Sequence, residues 1–386
     1  MQPWQDPEIE SVRQKYLELA KSLNGDAAQR DKDGDFSLER YRQVAEAGFL
    51  KLMMPAALGG EEVPVTHAVA AIEGLGEGCL DGGFNYAICN QLCGLQVTLK
   101  MFASEELQKK YLPDMMVGTS LAAYGFTEQT SGSDAYSMET TAEEEEDGFR
   151  LNGTKCYITN APFADKAIVF AKTSPTRSPF SLTAFLVDME WDGASHGQEF
   201  EKMGLRTVRM GELQFDNVLV PKDHIVGVKG GGLRVLTEST LWERAILIAA
   251  ALGPMARGLE ACIERTKTRV QFDKPIGAFQ QIAAKIANMT MRYKLSRQTI
   301  YDIASKIGHG TSLQPHAQDA AIAKLFVSDN FVNFELDAMQ IFGVRGYLLE
   351  SFAQQDLRDS LSFNIWAGTS ETLRNTIAKL AGLPTE

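Results

Sequence analysis

One carboxylate in this chain sits where a carboxylate needs a reason. Glu243 lies in "STLWERAILIAAALG", residues 239 to 253, with Trp242, Ile246, Ile248 and Ala249 around it. An apolar setting raises the pKa of a carboxyl group and makes its ionised form a stronger base. A salt bridge to the neighbouring Arg244, or plain surface exposure, accounts for Glu243 as well on these residues alone. A second stretch, "NIWAGTSETLR" at 364 to 374, sets Trp366 before an Ala-Gly-Thr-Ser turn that leads into helical residues. The turn is shaped to hold something, yet Ala367 at its head can neither give nor take a proton. A third stretch, "YGFTEQTSGSD" at 124 to 134, offers the hydroxyls of Thr127 and Ser133. They suit either nearby backbone or the polar edge of a planar heterocycle.

Other motifs fail on spacing. "DKDGDFSLE" at 31 to 39 resembles a calcium loop, but Phe36 stands where Gly is needed and Arg42 where Glu is needed. A solvated acidic turn before a helix is the expectation there. "GLGEGC" at 74 to 79 follows a helical run, and Cys79 replaces the third glycine of a dinucleotide fingerprint. The histidines, His67, His196, His224, His309 and His316, are scattered and read as surface or loop residues. Five cysteines with no C-x-x-C read as buried, reduced thiols.

Composition narrows the class. Hydrophobic residues make up 44% and charged residues 23% of 386 positions, enough for a sizeable core. A net charge of -12 argues against nucleic acid, whose phosphates call for a basic face. No run approaches 18 uninterrupted apolar residues, so no membrane span is expected, and the polar N-terminus has no apolar signal region. Cytoplasm is the expected compartment.

The elements that must position these residues fall into three blocks. Residues 1–119 read as helices, with Ser37 a helix N-cap. Residues 120–229 read as a β domain: "GFRLNGTKCYITNA" as two short runs joined at Asn152-Gly153, then "KAIVFAKT", "LTAFLVDM" and "GELQFDNVLVP". Residues 230–386 read as long apolar-striped helices, the first a single pattern from 234 to 270, suited to a four-helix bundle. The fold class expected is α+β, in the order helical, β, helical.

Five segments in this order resemble the acyl-CoA dehydrogenase flavoprotein family across essentially the whole chain: "YGFTEQTSGSD" at 124, "LNGTKCYITNA" at 151, "RVQFDKPIGAFQ" at 269, "QIFG" at 340 and "AGTSE" at 367. The resemblance implies a non-covalent FAD between the β domain and the C-terminal bundle. By position, Tyr124, Phe126 and Thr127 would line the isoalloxazine, and Ser133 would meet the phosphates. Tyr157 and Thr159 would pack on the flavin and bond near its N5. Arg269 and Phe272 would reach the FAD of a neighbouring subunit, which implies a homo-oligomer, expected to be a tetramer. Gln280, Gln340, Gly343 and Thr369 match further FAD contacts.

Two departures matter. "QIFGVRG" replaces the family's common "QIFGG", and Ala367 replaces the Glu that most of the family uses as its base. A minority, including isovaleryl-CoA and long-chain type enzymes, carries the base at the position of Glu243. The resemblance therefore assigns Glu243 as the base, with the Ala367 N–H still serving the thioester carbonyl and Arg244 and Trp366 on the substrate side. "YITNAPFADKAIVFAKT" and "LWERAILIAA" are further similar to dehydrogenases of aminoacyl groups on carrier proteins, the prolyl-carrier-protein type of natural-product biosynthesis. A free CoA thioester is the alternative substrate, and a flavin monooxygenase or oxidase the alternative chemistry. The electron acceptor would be an electron-transfer flavoprotein or oxygen. An acidic carrier would need a basic patch, for which Lys166, Lys202, Arg206 and Arg209 are candidates. A DNA-binding relative with a basic C-terminal extension is not expected, since the chain closes on "AKLAGLPTE".

Overall fold

The computed structural model describes residues 3–307 and 312–384. His309 lies outside the described residues. Helices α1 (Pro7–Lys21), α2 (Ala27–Asp33), α3 (Leu38–Glu46), α4 (Val65–Gly78), α5 (Gly82–Asn90), α6 (Val97–Phe102) and α7 (Glu105–Met116) form the first block. Side chains start several of them. Ser37 accepts the Arg40 N–H, Asp81 the Phe84 N–H and Ser104 the Leu107 N–H. Between α5 and α6 the chain widens into a π-helical segment, Gln91–Gln96.

The middle block is a sheet of β1 (Ala122–Gly125), β2 (Thr141–Glu144), β3 (Gly148–Thr159), β4 (Lys166–Lys172), β5 (Leu182–Asp188), β6 (Ala194–Glu199), β7 (Met210–Pro221) and β8 (Ile225–Val226). The order is β6-β7-β3-β2-β4-β5-β8, and β1 pairs in parallel with β4. Strand β4 is buried on both faces. Ile168 and Phe170 join the core shared with the helices, while Val169 and Ala171 face a separate core with Phe149, Leu151, Phe185 and Phe215.

Asn152-Gly153 is not a hairpin turn. It lies inside the twelve-residue strand β3, at a register slip against β7. The Asn152 side chain accepts the Asn217 N–H at 2.8 Å, and a Cβ on Gly153 would come within 2.5 Å of the Thr140 hydroxyl. A bulge and a close approach, rather than a reversal, need these residues. The chain reverses earlier, where the Glu145 N–H donates to the Gly148 carbonyl.

The C-terminal block holds α8 (Gly232–Ala245), α9 (Leu252–Thr268), a short β9 (Val270–Gln271) and β10 (Lys274–Pro275) pair, α10 (Gln280–Lys306), α11 (Ala317–Phe342), α12 (Phe352–Ser362) and α13 (Ser370–Leu380). The single pattern expected over 234–270 breaks into α8 and α9 through a buried 3-10 turn, Leu247–Ala251. Gly253 explains the offset: a Cβ there would fall within 2.1 Å of the Glu77 nitrogen, so α9 crosses α4 nearly backbone to backbone. The run Gly232–Thr268 is long and apolar enough to cross a membrane, but 67% of its most apolar window is buried inside the protein. It is the core of the bundle.

Two smaller readings change. The acidic stretch at 31–39 is not fully solvated, because Asp31 is buried and pairs with Arg358 at 2.6 Å. His224 is also buried, with its Nε2 3.0 Å from the Tyr111 hydroxyl. The five cysteines are buried and free.

Candidate active site

Glu243 sits in the last turn of α8, where the helix meets the π-helical segment. Its carboxyl faces Gly94: a Cβ on that glycine would lie 3.2 Å from Glu243 Oε1. Tyr86 from α5, Cys93 from the π segment and Tyr124 from β1 are close enough for the Glu243 charge to raise their pKa values. One turn earlier on the same face, the Ser239 hydroxyl is 2.5 Å from that of Tyr124. Burial pushes the Glu243 carboxyl up to about 7, against the opposing pull of Arg244 and Lys324. No ion pair joins Glu243 to Arg244 among the described residues. Arg244 turns away, and its Nε donates to the Ala367 carbonyl at 2.8 Å.

The Ala-Gly-Thr-Ser turn is a strained one. Ala367 and Gly368 both adopt left-handed backbone, at φ 54° and 94°. Their carbonyls point at two cations in turn, Arg244 on Ala367 and Lys324 Nζ on Gly368 at 2.9 Å. The Ala367 N–H is spent on no backbone carbonyl among the described residues. Thr369 caps α13 by accepting the Thr372 N–H. Trp366 packs against Tyr86 and Phe363 with ring centroids at 5.5 and 5.3 Å, and its indole N–H is buried without a partner among the described residues.

The sheet supplies a second wall. Tyr124 and Phe126 pack on Phe170. The Thr127 carbonyl accepts the Cys156 N–H at 2.8 Å, which ties the loop after β1 to β3 next to Tyr157. Tyr157 is held at φ 60° with its ring 49% exposed and tilted on Phe200. Ser133 is exposed at the tip of that loop.

Arg269, Phe272, Gln280, Gln340 and Gly343 do not join this cluster within one chain. They lie exposed just after α9, at the start of α10 and at the end of α11, Phe272 at 86% exposure. The basic candidates do not form a free patch either. Lys166 pairs with Asp188, Arg209 with Glu199, Arg206 bonds the carbonyls of Asp31 and Lys32, and Lys202 donates to the Val208 carbonyl. Lys202, Arg206 and Arg209 do stand together in one loop, with Lys166 elsewhere.

Three features of the site lay outside the sequence reading. Lys324 is wholly buried behind the turn. Gly94, within the π segment, lies in front of Glu243. Lys155 and Glu128 form a buried pair at 2.7 Å, and Glu128 also accepts from Glu139 and Thr140, so the loop after β1 is pinned from within. A lysine inside the apolar stripe of "AAIAKLF" was the available signal for Lys324.

Comparison with known proteins agrees with the three-block fold. Models of the acyl-CoA dehydrogenase N-terminal, middle and C-terminal domains match residues 6–119, 123–218 and 230–382. The chain is 34% identical to an L-prolyl-[peptidyl-carrier protein] dehydrogenase of Serratia sp. (strain ATCC 39006), over 94% of this chain and 93% of the relative. Among solved structures, a prolyl acyl carrier protein oxidase, AnaB, superposes with a TM-score of 0.94 at 33% identity, covering 98% of this chain and all of that one. An FAD complex of PigA does so at 0.93 and 32%, covering 98% of each. The chain belongs to the acyl-CoA dehydrogenase family.

Proposed function

We propose that this protein is an FAD-dependent dehydrogenase that removes hydrogen across the α and β carbons of an aminoacyl thioester carried by a carrier protein, prolyl being the first candidate. The observation that carries the chemistry is Glu243: a carboxyl pushed up to about 7 by burial, beside a turn whose own first residue is alanine. A base with a pKa near the working pH is best suited to lift a weakly acidic α proton. Glu243 takes that proton. The free Ala367 N–H donates to the thioester carbonyl and makes the α carbon more acidic. Arg244 holds the turn through the Ala367 carbonyl, and Tyr86, Trp366 and Gly94 shape an apolar floor that excludes water.

The residues present fit FAD. A buried Trp366 indole N–H without a partner, a half-exposed Tyr157 in a strained conformation and the pinned loop 124–134 suit a large planar group with polar edges. Tyr124, Phe126, Thr127, Tyr157, Thr159 and Thr369 would hold its ring and Ser133 its phosphates. When bound, FAD takes the hydride released from the β carbon. Arg269, Phe272, Gln280, Gln340 and Gly343, exposed in one chain, would complete the cofactor site of a neighbouring copy in a homotetramer, which light scattering tests. Electrons would leave to an electron-transfer flavoprotein or to oxygen, in the cytoplasm.

The similarity to carrier-protein enzymes favours a carrier over free CoA. Anaerobic titration of the flavin-loaded protein decides it, with matched acyl groups on CoA and on carrier proteins. Bleaching of the flavin by prolyl-carrier protein is expected. Bleaching by acyl-CoA thioesters alone would overturn the carrier assignment. Bleaching by neither would overturn the dehydrogenase reading and favour a monooxygenase.

A further inference from the structure

The geometry points to Lys324 as a second positioning residue of the active site: its buried amine holds the Gly368 carbonyl and, in its protonated form, favours the ionised form of Glu243. This rests on the reading of Glu243 as the base.

Three observations carry it. Lys324 is fully buried, and burial together with Arg244 brings its ammonium down to about 7 against the pull of Asp329, Glu243 and Glu371. Its Nζ donates to Gly368 at 2.9 Å while Arg244 donates to Ala367 at 2.8 Å, so two cations fix consecutive carbonyls of a turn whose residues are both left-handed. With both carbonyls held, the Ala367 N–H is left directed away from them. Lys324 also lies 5.4 Å over the ring of Trp366, which fixes the ammonium from a second side.

The charges around the pair define what its loss does. Glu243 is faced by Arg244 on its own helix, Lys324 from α11, Tyr86 from α5, Cys93 from the π segment and Tyr124 from β1. Lys324 is faced by Arg244, Glu243, Asp329 on its own helix and Glu371 from α13. Among the described residues, Arg244 and Lys324 are the cations whose charge acts on Glu243. Arg244 is committed to the turn and cannot replace a missing Lys324 without leaving Ala367.

Lys324→Met removes the charge and the hydrogen bond. Lys324→Gln keeps a donor for Gly368 and removes the charge alone. The readout is the pH dependence of anaerobic flavin reduction in the FAD-loaded enzyme, at saturating and at limiting substrate. In both variants the acid limb should move up by about one pH unit, because an opposite charge beside a carboxyl shifts it by that order. Lys324→Met should in addition lose maximal rate with little change in KM, whereas Lys324→Gln should keep most of the rate above pH 8. An unshifted acid limb in a folded, flavin-loaded Lys324→Gln protein would overturn the charge role. Equal rates at high pH for both variants would overturn the role of the Gly368 contact. If Glu243→Gln retains the rate, the base assignment fails instead, which separates the two failures.

Discussion

Helix α11 buries two charged side chains about three turns apart, Lys324 and Glu335, and the protein treats them differently. Lys324 finds a carbonyl to hold and a carboxyl to face. Glu335 finds neither: both of its oxygens are buried without a hydrogen-bond partner among the described residues. Its neighbours are Asp356, Asp359 and Arg257, and Arg257 is already spent in a two-pronged bond to Asp356 at 2.8 and 3.0 Å. Burial and the like charges push the Glu335 carboxyl well above its usual range, so it keeps its proton. One end of the helix thus keeps a hydrogen-bonded amine that titrates near 7 beside the cleft. The other end cancels its charge. A buried ionisable group in this fold is informative only together with its partners.

The sharpest way to break that contrast is at the cleft. Glu243→Gln keeps the shape and removes the base, and flavin reduction should fall by roughly 10²–10⁴-fold. In the parent enzyme the rate should rise with pH through about 7, since only the ionised carboxyl accepts a proton. A stopped-flow series against pH checks both statements.

The β domain holds a third case, in which both charges are kept for structure. Lys155 is buried beside Glu128. Burial brings the Lys155 ammonium down to about 8, while the pair with Lys155 and the hydrogen bonds from Thr140 and Glu139 outweigh burial and hold Glu128 low. Lys155→Met leaves Glu128 buried without its cation and should cost about 3–5 kcal/mol. Chemical denaturation reads the loss. FAD affinity should drop with it, because the loop carrying Thr127 and Ser133 hangs on this pair.

The sequence made the three-block order legible, because helical and strand periodicities change near residues 120 and 230. Ser37 as a cap and Glu243 as an anomaly were also legible, each from its immediate neighbours. Asn152-Gly153 misled, since the same dipeptide serves a turn or a bulge and only pairing with β7 chooses. The break between α8 and α9 was hidden, because it answers a close crossing at Gly76 and Gly253 from distant parts of the chain. Lys324 and the Lys155–Glu128 pair were hidden for the same reason: their partners lie far away in sequence. The loop carrying Thr127 is tied to β3 next to Tyr157 by the Cys156 N–H, whereas Arg269 and Phe272 are exposed in one chain.

At the far end of α11, Glu335→Gln sharpens the contrast through stability. A carboxyl with a raised folded pKa stabilises the fold fully below about pH 4, where the unfolded chain is protonated too, and that contribution drains away as pH rises through the folded value. The glutamine variant has no such proton to lose. Its melting temperature should exceed that of the parent by a margin that grows with pH, equivalent to about 1 kcal/mol or more at pH 8. A margin that shrinks with pH would mean Glu335 is ionised in the fold.

The smallest effect expected is at Gly94, where shape rather than charge positions the base. A methyl group there would come within 3.2 Å of Glu243 Oε1 and 2.8 Å of Asn90 Oδ1, so the carboxyl must give way. Alanine is otherwise the better helix former by up to about 1 kcal/mol, which offsets part of the crowding. Gly94→Ala should therefore melt close to the parent while flavin reduction slows about threefold, a small displacement of a catalytic group being enough for that. The acid limb should stay within a few tenths of a unit of its parent position, because no charge has changed. That separates it from the Lys324 variants, which should move the limb. A slowed rate with a fixed limb in one case, and a moved limb in the other, would show that the π segment sets where Glu243 stands and α11 sets how readily it ionises.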